Sequence, residues 1–403
     1  MSRSVNVWTI LLAICLLPTV RLSLAAETVS KAIAKPLQAA NAASKNRKWS
    51  ECISNLKQAD AMSGKSPYEI SIINQLMAYC SNGSGDSAAT ARALEEGLVS
   101  GQLSDAQLAT RYKQLMQLNY TTRNYSKAID YGNRAIKAGT ADGDIFTLVA
   151  QSYYLLGDYR TAQRFTSDWT TSQEKRGQRP KENMLQINLD SCMKLGDQIC
   201  STRLFEKLVV YYPKPAYWAN LMRSMFRSGG GEQIKLNVYR LANEVGSMRE
   251  GSDYAEMAQM AIEQGLPSEA QSVLETGFER NAFKEQREID RTKRLLTSAK
   301  TQAVAEKMNL VKSEREAASA ITGESDIRVG QSFVSFGQYS QGIQTLKRGI
   351  AKGGLKSQGA AQITLGIALI KSGDKSAALK AFRLAKGDES TVRLAKLWSL
   401  RAQ

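Results

Sequence analysis

Two Ser-x-x-Lys strings, Ser54-Asn55-Leu56-Lys57 and Ser191-Cys192-Met193-Lys194, are the residues best spaced for chemistry in this 403-residue chain. On a helix, residues three apart share a face, so each lysine amine stands where it could activate the serine as an acyl-transfer nucleophile. Lys371-Ser372-Gly373 has the form of the Lys-[Ser/Thr]-Gly element that accompanies such a pair. The Ser-Asp-Asn element that completes the set is missing, and all three strings fall inside a strongly helical pattern. The chain also has no histidine. That removes Ser-His-Asp and Cys-His catalysis, zinc–histidine sites and histidine pH switching. No phosphate-binding loop or dinucleotide fingerprint is present. The expectation is therefore a non-catalytic protein with no metal and no cofactor.

Cysteine usage and the first residues bear on compartment. Arg3 gives a positive start, Val7–Val20 is a 14-residue apolar run, and Ser23-Leu24-Ala25 or Leu24-Ala25-Ala26 suits signal peptidase. Residues 1–25 are read as a cleaved export signal. The alternative, a retained membrane anchor, needs about 20 apolar residues, and Arg21 ends the run early. Cys15 lies mid-run after Ile14 and does not suit a lipoprotein site. Export leaves Cys52, Cys80, Cys192 and Cys200, without paired zinc spacing. An even count in an oxidising compartment predicts Cys192–Cys200 and Cys52–Cys80 disulfides; the other reading is small side chains filling helix contacts.

The elements that carry these residues repeat. Turn-like anchors stand at Arg123, Gly157, Gly196, Gly229, Gly265, Gly337 and Gly373, in steps of 34, 39, 33, 36, 72 and 36. A period in the mid-thirties means a stacked array, with the 72 as two periods. Small residues follow the turns, as Ala162 follows Gly157 and Ala378 follows Gly373. Two helices of a hairpin approach closely only where a side chain is short. Weaker breaks at Asn46-Arg47-Lys48 and at 81–85 extend the array toward residue 27. The organisation expected is repeats over 27–282, a divergent, glycine-free charged repeat over 283–322, and basic repeats over 323–403 with Ser390–Ala402 as a capping helix.

Leu365-Gly366-Ile367-Ala368-Leu369 before Gly373, with Ala378 and Phe382 after it, follows the tetratricopeptide pattern. So do Phe146, Ala150 and Tyr153 before Gly157, Trp218 and Leu221 before Gly229, and Phe205 and Pro213 after Gly196. From roughly Ser104 to Gln403 the chain resembles the tetratricopeptide family. Ankyrin's Thr-Pro-Leu-His cannot be present. The resemblance implies an all-α superhelical solenoid of about nine or ten helical hairpins that presents grooves to protein partners. Three strings, Leu208–Trp218, Gln264–Ala270 and Lys352–Gly359, are similar to periplasmic members of the family encoded beside TonB-type energy-transduction systems.

Six residues before four of the anchors, Arg123, Gly157, Gly265 and Gly337, stand Gln117, Gln151, Gln259 and Gln331, and three before the first two of these anchors stand Tyr120 and Tyr154. In the family these sites face the concave groove, where a ladder of amides and aromatics suits an extended peptide. The other reading is glutamine as a soluble helix former. The formal charge is +16, and the segment from Gln341 onward carries twelve Lys/Arg against three Asp/Glu. Lys347, Arg348, Lys371, Lys380, Arg383 and Arg393 are read there as a basic patch, or as an ordinary solvated surface. Export argues against nucleic acid as the partner. The expected function is a periplasmic protein–protein scaffold or adaptor, an accessory of a TonB-type or envelope transport complex. The alternative is a binder of anionic envelope polysaccharide, peptidoglycan or a membrane surface through the basic end.

Overall fold

The computed structural model describes residues 28–227 and 231–402. The expected export signal and the anchor Gly229 lie outside them. The described residues form helices and no strands, in two compact units, Met1–Ser152 and Tyr153–Gln403. The first holds hairpins α1 (Lys31–Lys45)/α2 (Trp49–Asp60), α3 (Pro67–Gly83)/α4 (Ser87–Val99) and α5 (Asp105–Thr121)/α6 (Tyr125–Lys137). Helix α7 (Gly143–Leu155) begins there and ends in the second unit, where α8 (Tyr159–Lys175) follows. Then come α9 (Glu182–Lys194)/α10 (Gln198–Tyr211), α11 (Pro215–Arg227)/α12 (Glu232–Glu244) and α13 (Gly251–Glu263)/α14 (Pro267–Glu279). A single long helix, α15 (Gln286–Ser319), precedes α16 (Glu324–Ser335)/α17 (Tyr339–Lys352), α18 (Gln358–Lys371)/α19 (Lys375–Leu384) and α20 (Glu389–Ala402).

Local chemistry explains the hairpins. Each described intra-hairpin turn places one residue in the left-handed region, from Arg47 and Gly85 through Gly157 to Gly373. The next N–H then closes on a carbonyl five residues back, as Asp158 does on Tyr153 (3.0 Å) and Asp374 on Leu369 (2.9 Å). Asp86, Asp158, Asp197 and Asp374 cap the following helix by accepting from Ala89, Thr161, Cys200 and Ala377. Five residues past the turn, Ala128, Ala162, Ala270 and Ala378 are fully buried. At Gly342 a Cβ would meet Val334 Cγ2 at 2.7 Å, so the chain there has no room for one.

Cys52 occupies that same small-residue position and is bonded to Cys80, tying α2 to α3. Cys192 and Cys200 are bonded across the α9–α10 turn. Both expected pairings are present.

Two features go beyond the repeat. Segment 283–322 contains one helix rather than a hairpin; α15 packs on α14 and α16 with Ala299, Ala303, Leu310 and Ala317 buried. The capping helix has a second contact surface. Besides α18 and α19, α20 packs on α10 and α12, so the second unit closes on itself. Trp398 stacks on Phe382 (6.2 Å between centroids) and donates to Asn237 O at 3.3 Å. Around it, Lys396 pairs with Glu206 (2.6 Å) and Arg401 with Glu244 (2.8 Å).

Candidate interaction surface

In the first unit Gln117 and Tyr120 lie half-buried on α5, and Gln151 half-buried on α7. The Tyr120 hydroxyl donates to Gln151 Oε1 at 2.9 Å, so the rungs of two successive repeats are bonded to each other. Tyr120 also packs edge-on against Tyr125 at 5.8 Å. Tyr154, three residues along α7 from Gln151, repeats the arrangement in the second unit and packs edge-on against Tyr159 at 5.2 Å. The tyrosine three before each turn thus rests on the one that opens the next helix. Burial, and then Tyr125, raises the Tyr120 hydroxyl above its usual pKa; burial, then Asp190, does so for Tyr154.

Asp190 occupies the glutamine position in the repeat anchored at Gly196. Its carboxylate is exposed, yet surrounding protein desolvates it enough to raise its pKa against the pull of Lys194. Counting glutamines passed over this rung, although the spacing identifies it. Beside it, Tyr217 bonds both Glu182 Oε1 (2.5 Å) and Gln186 Nε2 (2.7 Å), and burial with the Glu182 bond pushes its hydroxyl up to about 12.

The two remaining glutamines differ. Gln331 on α16 is half-buried and reaches Thr364 Oγ1 on α18 at 3.5 Å. Gln259 on α13 is exposed and donates to Glu263 on its own helix.

The basic residues also divide. Lys347, Lys371, Lys380 and Arg383 are exposed, with no carboxylate in ion-pair range among the described residues. Arg348 is bound to the fully buried Asp326 (2.7 Å) and to Glu314 (2.8 Å), and Lys352 completes that cluster on Asp326 Oδ2 at 2.7 Å. Arg393 donates to Ser224 at 2.5 Å within the closure. The second unit also has an open cleft of about 810 Å³ between the first turns of α12, α16, α18 and α20 and the end of α13, with Gln331 in its wall.

None of the Ser-Lys strings is assembled. Ser54 and Lys57 are exposed on α2 in one unit, whereas Ser191 is buried in the other and donates to Ile187 O at 2.7 Å. Ser372 donates to Leu369 O at 2.9 Å as part of its turn. Among the described residues no group of three carboxylates or cysteines is placed to hold a metal ion, and no helix is long and apolar enough to cross a membrane.

No protein-family model matches the chain. No curated protein matches it. Among solved structures, a tetratricopeptide repeat protein from Parabacteroides merdae ATCC 43184 is 11% identical over 92% of this chain and 99% of its own, with a TM-score of 0.31. A Naa15/Naa10 complex bound to HypK-THB is 13% identical over 92% of this chain and 61% of its own (TM-score 0.33). The APC/C hetero-tetramer Cut9–Hcn1 is 11% identical over 89% and 87% (TM-score 0.24). Likeness at this level carries no argument, and the assignment rests on the turns, caps and small-residue contacts of the hairpins themselves. By that geometry the molecule is an all-α helical-repeat protein with hairpins of the tetratricopeptide kind.

Proposed function

We propose that this protein is a non-catalytic interaction scaffold of the cell envelope that holds an extended segment of a partner protein along its first-helix faces. The bonded rung formed by Tyr120 and Gln151 carries the reading. It supports a row of half-exposed amides and tyrosine faces, which match the donors, acceptors and side chains of an extended peptide. Two disulfides support an oxidising compartment, and with the N-terminal apolar run they favour export to a periplasm. An adaptor role beside a TonB-type or other envelope transport complex follows from the three similar strings. The alternative, an anionic polysaccharide, peptidoglycan or membrane surface, is favoured by the unpaired Lys347, Lys371, Lys380 and Arg383.

Crosslinking in intact envelopes tests both. Tyr120→Ala with Tyr154→Ala should abolish crosslinks to the partner while helicity by circular dichroism is retained. Unchanged crosslinking with an intact fold would overturn the ladder, and loss only on replacing Lys347, Lys371, Lys380 and Arg383 by Gln would support the alternative.

A further inference from the structure

Two neighbouring turns of the second unit carry apolar side chains into solvent. Leu155 and Leu156 stand at the α7–α8 turn, and Met193, Leu195 and Ile199 at the α9–α10 turn, each 42% to 68% exposed. Elsewhere the described intra-hairpin turns expose no large apolar side chain. Polar residues flank Arg47, Gly85, Arg123 and Gly373, and Leu266 beside Gly265 is fully buried. The two apolar turns lie side by side. Helix α8 packs on α9, and Gln163 near the start of α8 donates to Cys200 Sγ at the start of α10 at 3.4 Å. One edge of the unit thus gathers these side chains, and exposed apolar groups gathered in this way mark a contact surface.

The charges of the edge narrow what it meets. Arg160 and Arg164 on α8, Lys194 at the end of α9 and Arg203 on α10 are exposed, with no carboxylate in ion-pair range among the described residues. Of the carboxylates at the two turns, Asp158 and Asp197 each accept an N–H at the start of the following helix, where the helix dipole offsets their charge. Asp190, one turn before Lys194, is the remaining one, so the edge is positive. Its apolar residues are Leu, Ile and Met, without the polar handles of the Trp, Tyr and Arg that anchor protein interfaces. They project from chain reversals, a shape that enters a soft surface rather than clasping a segment. We propose that this edge docks the second unit on an anionic phospholipid surface, its aliphatic side chains entering the headgroup boundary and its four cations meeting the phosphates. The contact is peripheral and uses none of the residues of the Tyr120–Gln151 rung or of the basic end after Gln341.

Co-sedimentation with vesicles tests it, on the chain from residue 26 onward so that the N-terminal apolar run takes no part. Binding is expected to phosphatidylcholine vesicles that contain phosphatidylglycerol, to weaken as salt rises, and to be slight on phosphatidylcholine alone. Leu156→Gln/Leu195→Gln/Ile199→Gln should weaken it by about tenfold or more, since such binding scales with the apolar area that enters the bilayer. Val304→Gln/Met308→Gln/Val311→Gln removes exposed apolar side chains from α15 and should leave binding unchanged. If the first variant loses helicity by circular dichroism, Leu195→Trp on the otherwise native chain decides, because brominated phosphatidylglycerol should quench its added fluorescence. The proposal is overturned if anionic vesicles are not bound, if both triple variants lose binding equally, or if brominated lipid quenches the Leu195→Trp chain no more than the native one. It is also overturned if binding falls only when Lys347, Lys371, Lys380 and Arg383 are replaced by Gln, which would put the membrane contact at the basic end. Self-association of the native chain without lipid, lost in the Leu156/Leu195/Ile199 variant, would overturn it in favour of a dimer contact.

Discussion

A single position, five residues past each turn, shows how far one side chain can matter. It holds Ala162 and Ala378 in two hairpins, a bonded cysteine in another and glycine at 342, always where two helices touch. Enlarging Ala162 or Ala378 to Leu should overpack the hairpin and cost about 1–3 kcal/mol, read as a lowered thermal midpoint. Melts unchanged by both would show that the contact tolerates bulk. This position was legible in the sequence because turn, cap and small residue lie within six residues of one another. The site residues were legible only as types. That Tyr120 spends its hydroxyl on Gln151 depends on how neighbouring repeats stack, and Arg348 was counted as surface charge because nothing in a tally shows the buried Asp326 beside it.

At the scale of elements, the start of α3 couples charge to pH. Glu69 accepts from the Ser66 and Ser30 N–H groups, each at 2.8 Å, and these bonds hold its carboxyl down to about 2. A carboxyl held below its unfolded value stabilises the fold above about 4.5, and that contribution disappears as pH falls toward about 2. The gap in thermal midpoint between the native chain and Glu69→Gln should be full at neutral pH and close progressively below pH 4.5; a constant gap would assign the bonds no linkage. The disulfides act on different spans. Cys52–Cys80 closes 28 residues and Cys192–Cys200 closes 8, so chain entropy gives about 3.5 and 2.5 kcal/mol respectively. Replacing each pair with Ser and comparing denaturation midpoints should rank them in that order. Non-reducing peptide mapping of exported material should recover no free Cys192 thiol. The long helix was only half legible: a glycine-free charged stretch predicts helix, but whether it folds back depends on its neighbours.

For the whole molecule, the least legible feature is the closure by α20, since its bonds join residues 157 to 190 positions apart. Local patterning predicted a helix that covers an apolar face and could not specify two faces. Trp398, fully buried at this junction, should cost about 3–5 kcal/mol on change to Ala, measured by denaturant unfolding of the second unit. A smaller loss, matching an ordinary terminal repeat, would mean the junction is peripheral. An open repeat array unravels from its ends, each hairpin leaning only on its neighbours. Joining the last helix to the middle of the array removes one such end, as joining the ends of a zip would. Opening α20 should therefore release α10, α12 and α18 together, and hydrogen exchange in those helices should share one rate instead of grading along the chain. Because α20 follows all its partners in sequence, the second unit cannot reach this state until residues through Ala402 have been made.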